Sequence, residues 1–217
     1  MLELYTYFRS SAAYRVRIAL ALKGLDFHAL PVHLVRGGGE QHQPAYQRIN
    51  PQELVPTLVD QGHAITQSLA IMAYLDEAHA PAILLPQDAL GRARVRSLAL
   101  QVACDVHPLN NLRVLQYLEH ELGVQKPQCD TWYRHWVERG FEALETQLQS
   151  SQTGRYCHGD TPTLADCCLV PQVYNARRFD VDLSRFPEIK RIEANCAQLA
   201  AFQIATPEAQ ADAPVAA

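Results

Sequence analysis

The chain has 217 residues, 48% of them hydrophobic and 19% charged, with a formal net charge of −4. That length holds one large domain or two small ones and buries a core without disulfide or metal staples, and the composition excludes a disordered chain. The acidic balance argues against a nucleic-acid binder, and no run approaches 18 apolar residues, so neither nucleic acid nor a membrane span is expected.

Glu3 and Arg9 interrupt the N-terminal run where a signal peptide needs an unbroken apolar stretch, and the cytoplasm is the expected compartment. Residues 2–7 form a β-prone run and predict a strand. Ser10 and Ser11 then precede AAYRVRIALALKG, whose spacing predicts a helix over 11–23 that stops at Gly24. FHALPVH, 27–33, reads as a second strand, RGGGEQHQP as a loop, and 43–49 as a weak helix. VPTLV, 55–59, and residues 63–66 are strands joined by hairpin chemistry at Asp60-Gln61-Gly62. A helix starts at Ser68.

The order β-α-β-α-β-β-α fills about 80 residues, and the text then changes. HAPAILLPQD reads as a linker, and no convincing strand follows it. Residues 88–122 have helical spacing broken at Pro108, and 126–149 carry an apolar stripe through Trp132, Trp136, Phe141, Leu144 and Leu148. Thr163-Leu164-Ala165-Asp166 opens a further helix with a short variant of a capping box. Residues 187–202 predict a last helix, and the tail TPEAQADAPVAA, lacking an apolar period, is expected to be loose. The expected domains are 1–80, a linker at 81–87, and an all-helical 88–217.

Six cysteines stand at 104, 129, 157, 167, 168 and 196 with no C-x-x-C spacing, and the nine histidines form no H-x-x-x-H pair. No metal is expected, and Cys167 and Cys168 read as core residues.

Three features suggest a site. Arg9-Ser10-Ser11 lies where a strand enters a helix, and a helix start favours an anion, a thiolate included. The plainer reading, that the serines only cap the helix, stands beside it. Val55-Pro56 marks a strand edge or a cis turn, which turns the Val55 backbone outward to pair with an extended peptide. Gln67-Ser68 opens a helix and offers a nest for a carboxylate. Thiolate site, peptide edge and carboxylate nest together fit a cysteine-containing peptide.

The runs YFRSSAAYRVRIALALKG, NPQELVPTLVDQG, QSLAIMAYLDE, LLPQD, HPLNNLRVLQYL and GDTPTLADCCLVPQVYNARRFDVDL resemble the zeta-class glutathione transferases, from Leu4 to about Pro207. The resemblance implies an α/β thioredoxin-like N-terminal domain, an all-α C-terminal domain and a homodimer. It implies glutathione as cofactor and cis–trans isomerisation of a maleyl ketoacid, either maleylacetoacetate or maleylpyruvate. By the same resemblance Ser10 faces the sulfur, with Ser11 and Arg15 in the same segment. Gln41 lies near the glycyl end, Val55 pairs with the peptide backbone, and Gln67 and Ser68 clamp the γ-glutamyl end. His107, Asn111 and Arg113 match further positions of the glutathione cleft, and Arg9 and Arg178 match the groups that meet the organic substrate. His107 before Pro108 reads equally as the cap of a helix break, and Arg178 as a solvated face, which is the reading for Arg177. Many members carry cysteine where this chain has Ala12, so the serine hydroxyl must act without it. Arg17, two residues from Arg15, is expected in a surface or interdomain ion pair. A general glutathione-conjugating or dehalogenating transferase and a non-catalytic module of the same fold remain as other readings.

Overall fold

Alternation in the first strand sets the sheet. In the computed structural model, which describes residues 1–214, β1 (Leu2–Thr6) buries Leu2, Leu4 and Thr6 and leaves Glu3 and Tyr5 half-buried. It pairs in parallel with β2 (Phe27–Pro31) and antiparallel with β3 (Thr57–Asp60), so Leu4 lies opposite both Ala29 and Leu58. β4 (His63–Thr66) closes a four-stranded sheet of order β2-β1-β3-β4. The β3–β4 hairpin turns through Gln61 (φ 51°) and Gly62 (φ 81°), the left-handed pair that a tight hairpin loop requires.

The parallel pair is joined through α1 (Ser11–Leu22), and α2 (Pro44–Gln47) and α3 (Ser68–Ala78) follow. This is the expected β-α-β-α-β-β-α order in a thioredoxin-like arrangement. The helix α1 is buried almost throughout and packs against α3. Beyond α3, Asp76 accepts hydrogen bonds from the Ile83 and Leu84 amides and pairs with Lys23 at 3.1 Å, and Lys23 also donates to the Pro81 carbonyl. The apparent linker is therefore fastened to this unit.

The second unit, Leu85–Cys196, is helical: α4 (Ala89–Leu100), α5 (Leu112–His120), α6 (Lys126–Leu148), α7 (Leu164–Arg178) and most of α8 (Pro187–Ala197). Where the sequence suggests one break at Pro108, α4 widens into a π-helical stretch, Gln101–Val106, and then tightens into a 3-10 turn, His107–Asn110. Pro108 has no N–H to continue the α ladder. Gly140 of α6 admits this bulge, since a Cβ there would collide with the Val106 side chain. The capping box of α7 forms: Asp166, fully buried, accepts from the Thr163 amide and hydroxyl and from the Cys157 amide. Cys157, Cys167, Cys168 and Cys196 are buried, and burial pushes the thiols of Cys157, Cys167 and Cys196 up, which keeps them inert.

Three expectations need correction. The last predicted helix breaks at Leu199, which is extended, and resumes as α9 (Ala200–Ile204). The tail is not loose as far as Pro214. Residues from Ala197 onward leave the expected second domain and join the first unit, where α9 packs on α1 and the Asp212 carboxylate accepts from the Phe8 amide at 2.9 Å. Residues 215–217 of the tail lie outside the described residues. Finally, Arg17 is not at the surface. It is 2% exposed, and its guanidinium donates to Thr6 Oγ1 and to the carbonyls of Tyr7, Phe8 and Ala205 at 2.9–3.3 Å. Burial lowers its pKa to about 10, so it remains a cation at neutral pH.

Replacing Arg17 by Met should lower the unfolding free energy by about 3 kcal/mol or more, because several buried acceptors lose their donor at once. Urea titration of the two proteins measures this, and a loss below about 1 kcal/mol would mean that water replaces the guanidinium.

Candidate glutathione-binding and active site

The turn between β1 and α1 carries the first group. Ser10 is the N-cap of α1 (φ −69°, ψ 116°), and its Oγ accepts from the Ala13 amide at 3.2 Å. With that lone pair engaged, the hydroxyl hydrogen is left to donate outward, at a helix end that favours negative charge. Ser10 is half-buried, whereas Ser11 in the first turn is 5% exposed. Arg9 is exposed beside it, 3.3 Å from Tyr7 Oη, with its guanidinium 5.2 Å from the Phe8 ring centre.

The second group is the edge at Val55. The Val55–Pro56 bond is cis. Tyr46 Oη and Asn50 Nδ2 both donate to the Leu54 carbonyl, at 2.6 and 2.7 Å, and both also reach Thr57 Oγ1. The residues flanking Val55 are thus pinned from inside, and the Val55 amide and carbonyl have no hydrogen-bond partner among the described residues. Burial raises the Tyr46 pKa, which keeps the phenol protonated as a donor. Sequence reasoning missed Tyr46 and Asn50. The Asn50-Pro51 dipeptide, a turn former, was the available signal for the latter.

The third group opens α3. Gln67 sits at φ 69°, ψ 115°, which a side chain-bearing residue adopts only when its surroundings impose it. Its amide donates to Gln52 Oε1 at 2.9 Å. Ser68 is buried, and Arg15, 2% exposed, donates to its Oγ at 3.2 Å, tying α1 to the start of α3. Gln41 is buried against Gly39, and its Nε2 stands 2.9 Å from His42 Nε2, while the other His42 nitrogen meets Glu53. That contact holds the Glu53 carboxyl below the usual carboxylate range. Gln41 Oε1 is buried with no partner among the described residues, an acceptor waiting for a donor.

The structure thus pairs Arg15 with Ser68, Gln67 with Gln52, and Gln41 with His42, which in turn meets Glu53, and Gln52 and Glu53 are neighbours in the loop that leads to Val55. The remaining residues stand on the helical unit. His107 is half-buried at the start of the 3-10 turn, the Asn111 side chain caps α5 by accepting from the Arg113 amide, and Arg113 is exposed. Arg178, exposed in the last turn of α7, donates to Asn175 Oδ1 at 3.2 Å and lies 5.8 Å from the Phe179 ring, itself stacked on Tyr133. Arg177 is a solvated residue paired with Glu193 at 2.8 Å. The sequence did not single out Asn175 as the partner of Arg178, although the two are three residues apart on one helix.

Comparison with known proteins gives the family. Residues 4–82 match the N-terminal domain family of glutathione S-transferases, and residues 136–201 match the C-terminal domain family. The chain belongs to the glutathione S-transferases, in their zeta class. A probable maleylacetoacetate isomerase of Vibrio cholerae serotype O1 is 51% identical over 98% of both chains. A holo structure of maleyl pyruvate isomerase, a bacterial zeta-class enzyme, is 46% identical with a TM-score of 0.94, covering 98% of this chain and 100% of that one. A maleylacetoacetate isomerase of Methylobacterium extorquens AM1, with bound malonate and GSH, has a TM-score of 0.94 at 40% identity over the same shares.

Removing the Asn50 amide should open the peptide edge without touching the thiol end. Asn50→Ala is expected to weaken glutathione binding by about tenfold, consistent with about 1.4 kcal/mol for the lost bonds to Leu54 and Thr57. Calorimetric titration with glutathione checks it, and an unchanged affinity would show that Tyr46 alone holds the edge.

Proposed function

We propose that this protein catalyses the glutathione-dependent cis–trans isomerisation of a maleyl ketoacid, maleylacetoacetate or maleylpyruvate, to the fumaryl isomer. The observation that carries the reading is Ser10. It is a half-buried N-cap with a hydroxyl hydrogen to give, on a helix start that holds no cysteine, in a chain about half identical along its length to such isomerases.

The residues present suit glutathione. The unpaired Val55 backbone suits the cysteinyl peptide, the buried Gln41 oxygen suits a donor near the glycyl end, and Gln67, Ser68 and the first amides of α3 suit the γ-glutamyl carboxylate. When bound, glutathione supplies a thiolate that adds reversibly to the conjugated double bond and is regenerated. Ser10 donates to the sulfur and favours its ionised form. Arg9 and Arg178 hold the acidic end of the substrate and the charge that develops on its ketone oxygen, for which a guanidinium fork is suited. His107, Asn111 and Arg113 are proposed to contact glutathione, with Ser11 and Arg15 supporting the thiol segment. The protein is proposed to act as a homodimer in the cytoplasm; no helix among the described residues is long and apolar enough to cross a membrane. A general conjugating transferase would keep the thiol site but have no use for two exposed arginines.

Assaying both ketoacids with and without glutathione tests the reaction and selects the substrate. Ser10→Ala should impair turnover more than glutathione affinity and raise the pH at which the bound thiol ionises, since a donor to the thiolate is lost. If Ser11→Ala moves that pH instead, the other serine is the sulfur-facing one.

The arginines separate the two reactions. Arg9→Met and Arg178→Met should each slow isomerisation by about 10²-fold or more while conjugation to a neutral electrophile barely changes. Arg177→Met, removing an exposed arginine paired with Glu193, is the control. Equal loss in both reactions would make the arginines structural, and no loss in isomerisation would pass the role to Arg15 and Arg113.

A further inference from the structure

The tail that the sequence leaves without a period is built into the base of the thiol site. Residues 206–213 fold through successive turns, with Ala209, Gln210 and Ala213 amides donating three residues back, and Gln210 Nε2 donating to the Ile204 and Thr206 carbonyls at 3.0 and 2.8 Å. Pro207 is buried, and Ala213 packs on the cluster of Tyr7, Phe8, Val32, Tyr46 and Val55. One tail residue thus touches the apolar floor under both the serine loop and the peptide edge.

Both backbone groups of Phe8 are gripped. Its N–H donates to Asp212 Oδ2 at 2.9 Å, and its carbonyl accepts from Arg17 Nη2 at 2.9 Å. Arg17 Nη1 reaches the Tyr7 carbonyl at 3.3 Å, the same oxygen that accepts from the Ser10 amide at 2.9 Å. Arg17 Nε in turn holds the Ala205 carbonyl at 3.1 Å. Bonds to a charged partner are about twice as strong as neutral ones, so Asp212 and Arg17 Nη1 on the Tyr7–Phe8 peptide, with Arg17 Nη2 on the next carbonyl, leave this loop little freedom. Ser10 is two residues further on, and a catalytic hydroxyl must be held to within about 0.5 Å.

We propose that Asp212 and Arg17 are positioning residues for Ser10, and that the C-terminal segment sets the geometry of the thiol-facing hydroxyl through the backbone of Tyr7 and Phe8. The proposal rests on the reading of Ser10 as the sulfur-facing group. Asp212 is half-buried at the surface, so its replacement leaves the core intact. Its charge also steadies the buried Arg17 cation.

The test uses the full-length protein with glutathione and three variants. Asp212→Ala removes the acceptor for the Phe8 amide, Asp212→Asn retains an acceptor oxygen, and Arg17→Lys keeps a cation that cannot fork onto both carbonyls. The ultraviolet absorbance of the bound thiolate is titrated with pH, and glutathione affinity and isomerase turnover are measured on the same samples. Asp212→Ala and Arg17→Lys should both raise the pH of thiol ionisation and lower kcat by about tenfold, within the loss expected for a displacement below 1 Å. Glutathione affinity, held by Val55, Gln67 and Ser68, should stay near that of the parent, and Asp212→Asn should recover most of the loss. If Ser10→Ala shifts the ionisation but neither Asp212→Ala nor Arg17→Lys does, the positioning role is wrong and the reading of Ser10 stands. If Ser10→Ala has no effect either, both fall. A lowered melting temperature with unchanged ionisation and kcat would make the segment a structural brace only, and an Asp212→Asn variant as impaired as Asp212→Ala would also count against it.

Discussion

A single buried guanidinium organises the first unit. Arg17 satisfies acceptors from β1 (Thr6), from the loop after it (Tyr7 and Phe8) and from the end of α9 (Ala205). A cation in that position costs desolvation, visible in its lowered pKa, and is tolerated only because its donors meet matched oxygens. Arginine suits this task where lysine would not, because its planar fork engages several backbone oxygens at fixed angles. The loop carrying Arg9 and Ser10 hangs from those same carbonyls, so the constraint that folds the unit also holds the loop proposed to face the thiol.

The peptide-binding edge repeats the principle with neutral groups. Tyr46 and Asn50 spend their hydrogen bonds on the Leu54 carbonyl and on Thr57, which leaves the intervening Val55 backbone nothing to pair with inside the protein. Arg15, buried and directed at Ser68, fixes the start of α3 in the same way. Arg17, Tyr46 and Asn50 each hold main-chain carbonyls from inside, whereas Arg15 holds the Ser68 hydroxyl. The five buried cysteines and the capping carboxylate Asp166 serve packing and helix starts, which leaves the chemistry to the cofactor's sulfur and to oxygen and guanidinium groups.

Charge supports the substrate end proposed at Arg9 and Arg178. The chain is acidic overall, at −4, so an anionic substrate needs local cations. Arg9 and Arg178 are exposed, and neither forms an ion pair with a carboxylate among the described residues: Arg9 reaches a tyrosine hydroxyl and Arg178 an asparagine oxygen. Arg177, by contrast, is taken by Glu193. Adjacent arginines on one helix are thus sorted by what lies opposite them.

The sequence by itself determined the element order, the helix starts at Ser11, Ser68 and Leu164, the hairpin at Gln61-Gly62 and, through resemblance, the class of chemistry. These are local matters, written in caps, glycines, prolines and periodicity that act within a few residues. Tertiary structure alone decided the rest. Arg17, expected in a surface or interdomain ion pair, is buried, as is Arg15 two residues before it on α1, because their partners come from β1, the loop after it, α3 and the end of α9, up to 188 residues away. The described part of the tail shows no apolar period because it is held by isolated groups, a buried Pro207, the Asp212 carboxylate on Phe8 and Ala213 on an apolar cluster. The π-helical stretch before Pro108 depends on a glycine 34 residues later in α6, on a helix whose approach no local pattern encodes. A hydrogen bond between distant residues leaves no spacing in the text, because the chain separating its partners is free to have any length and composition.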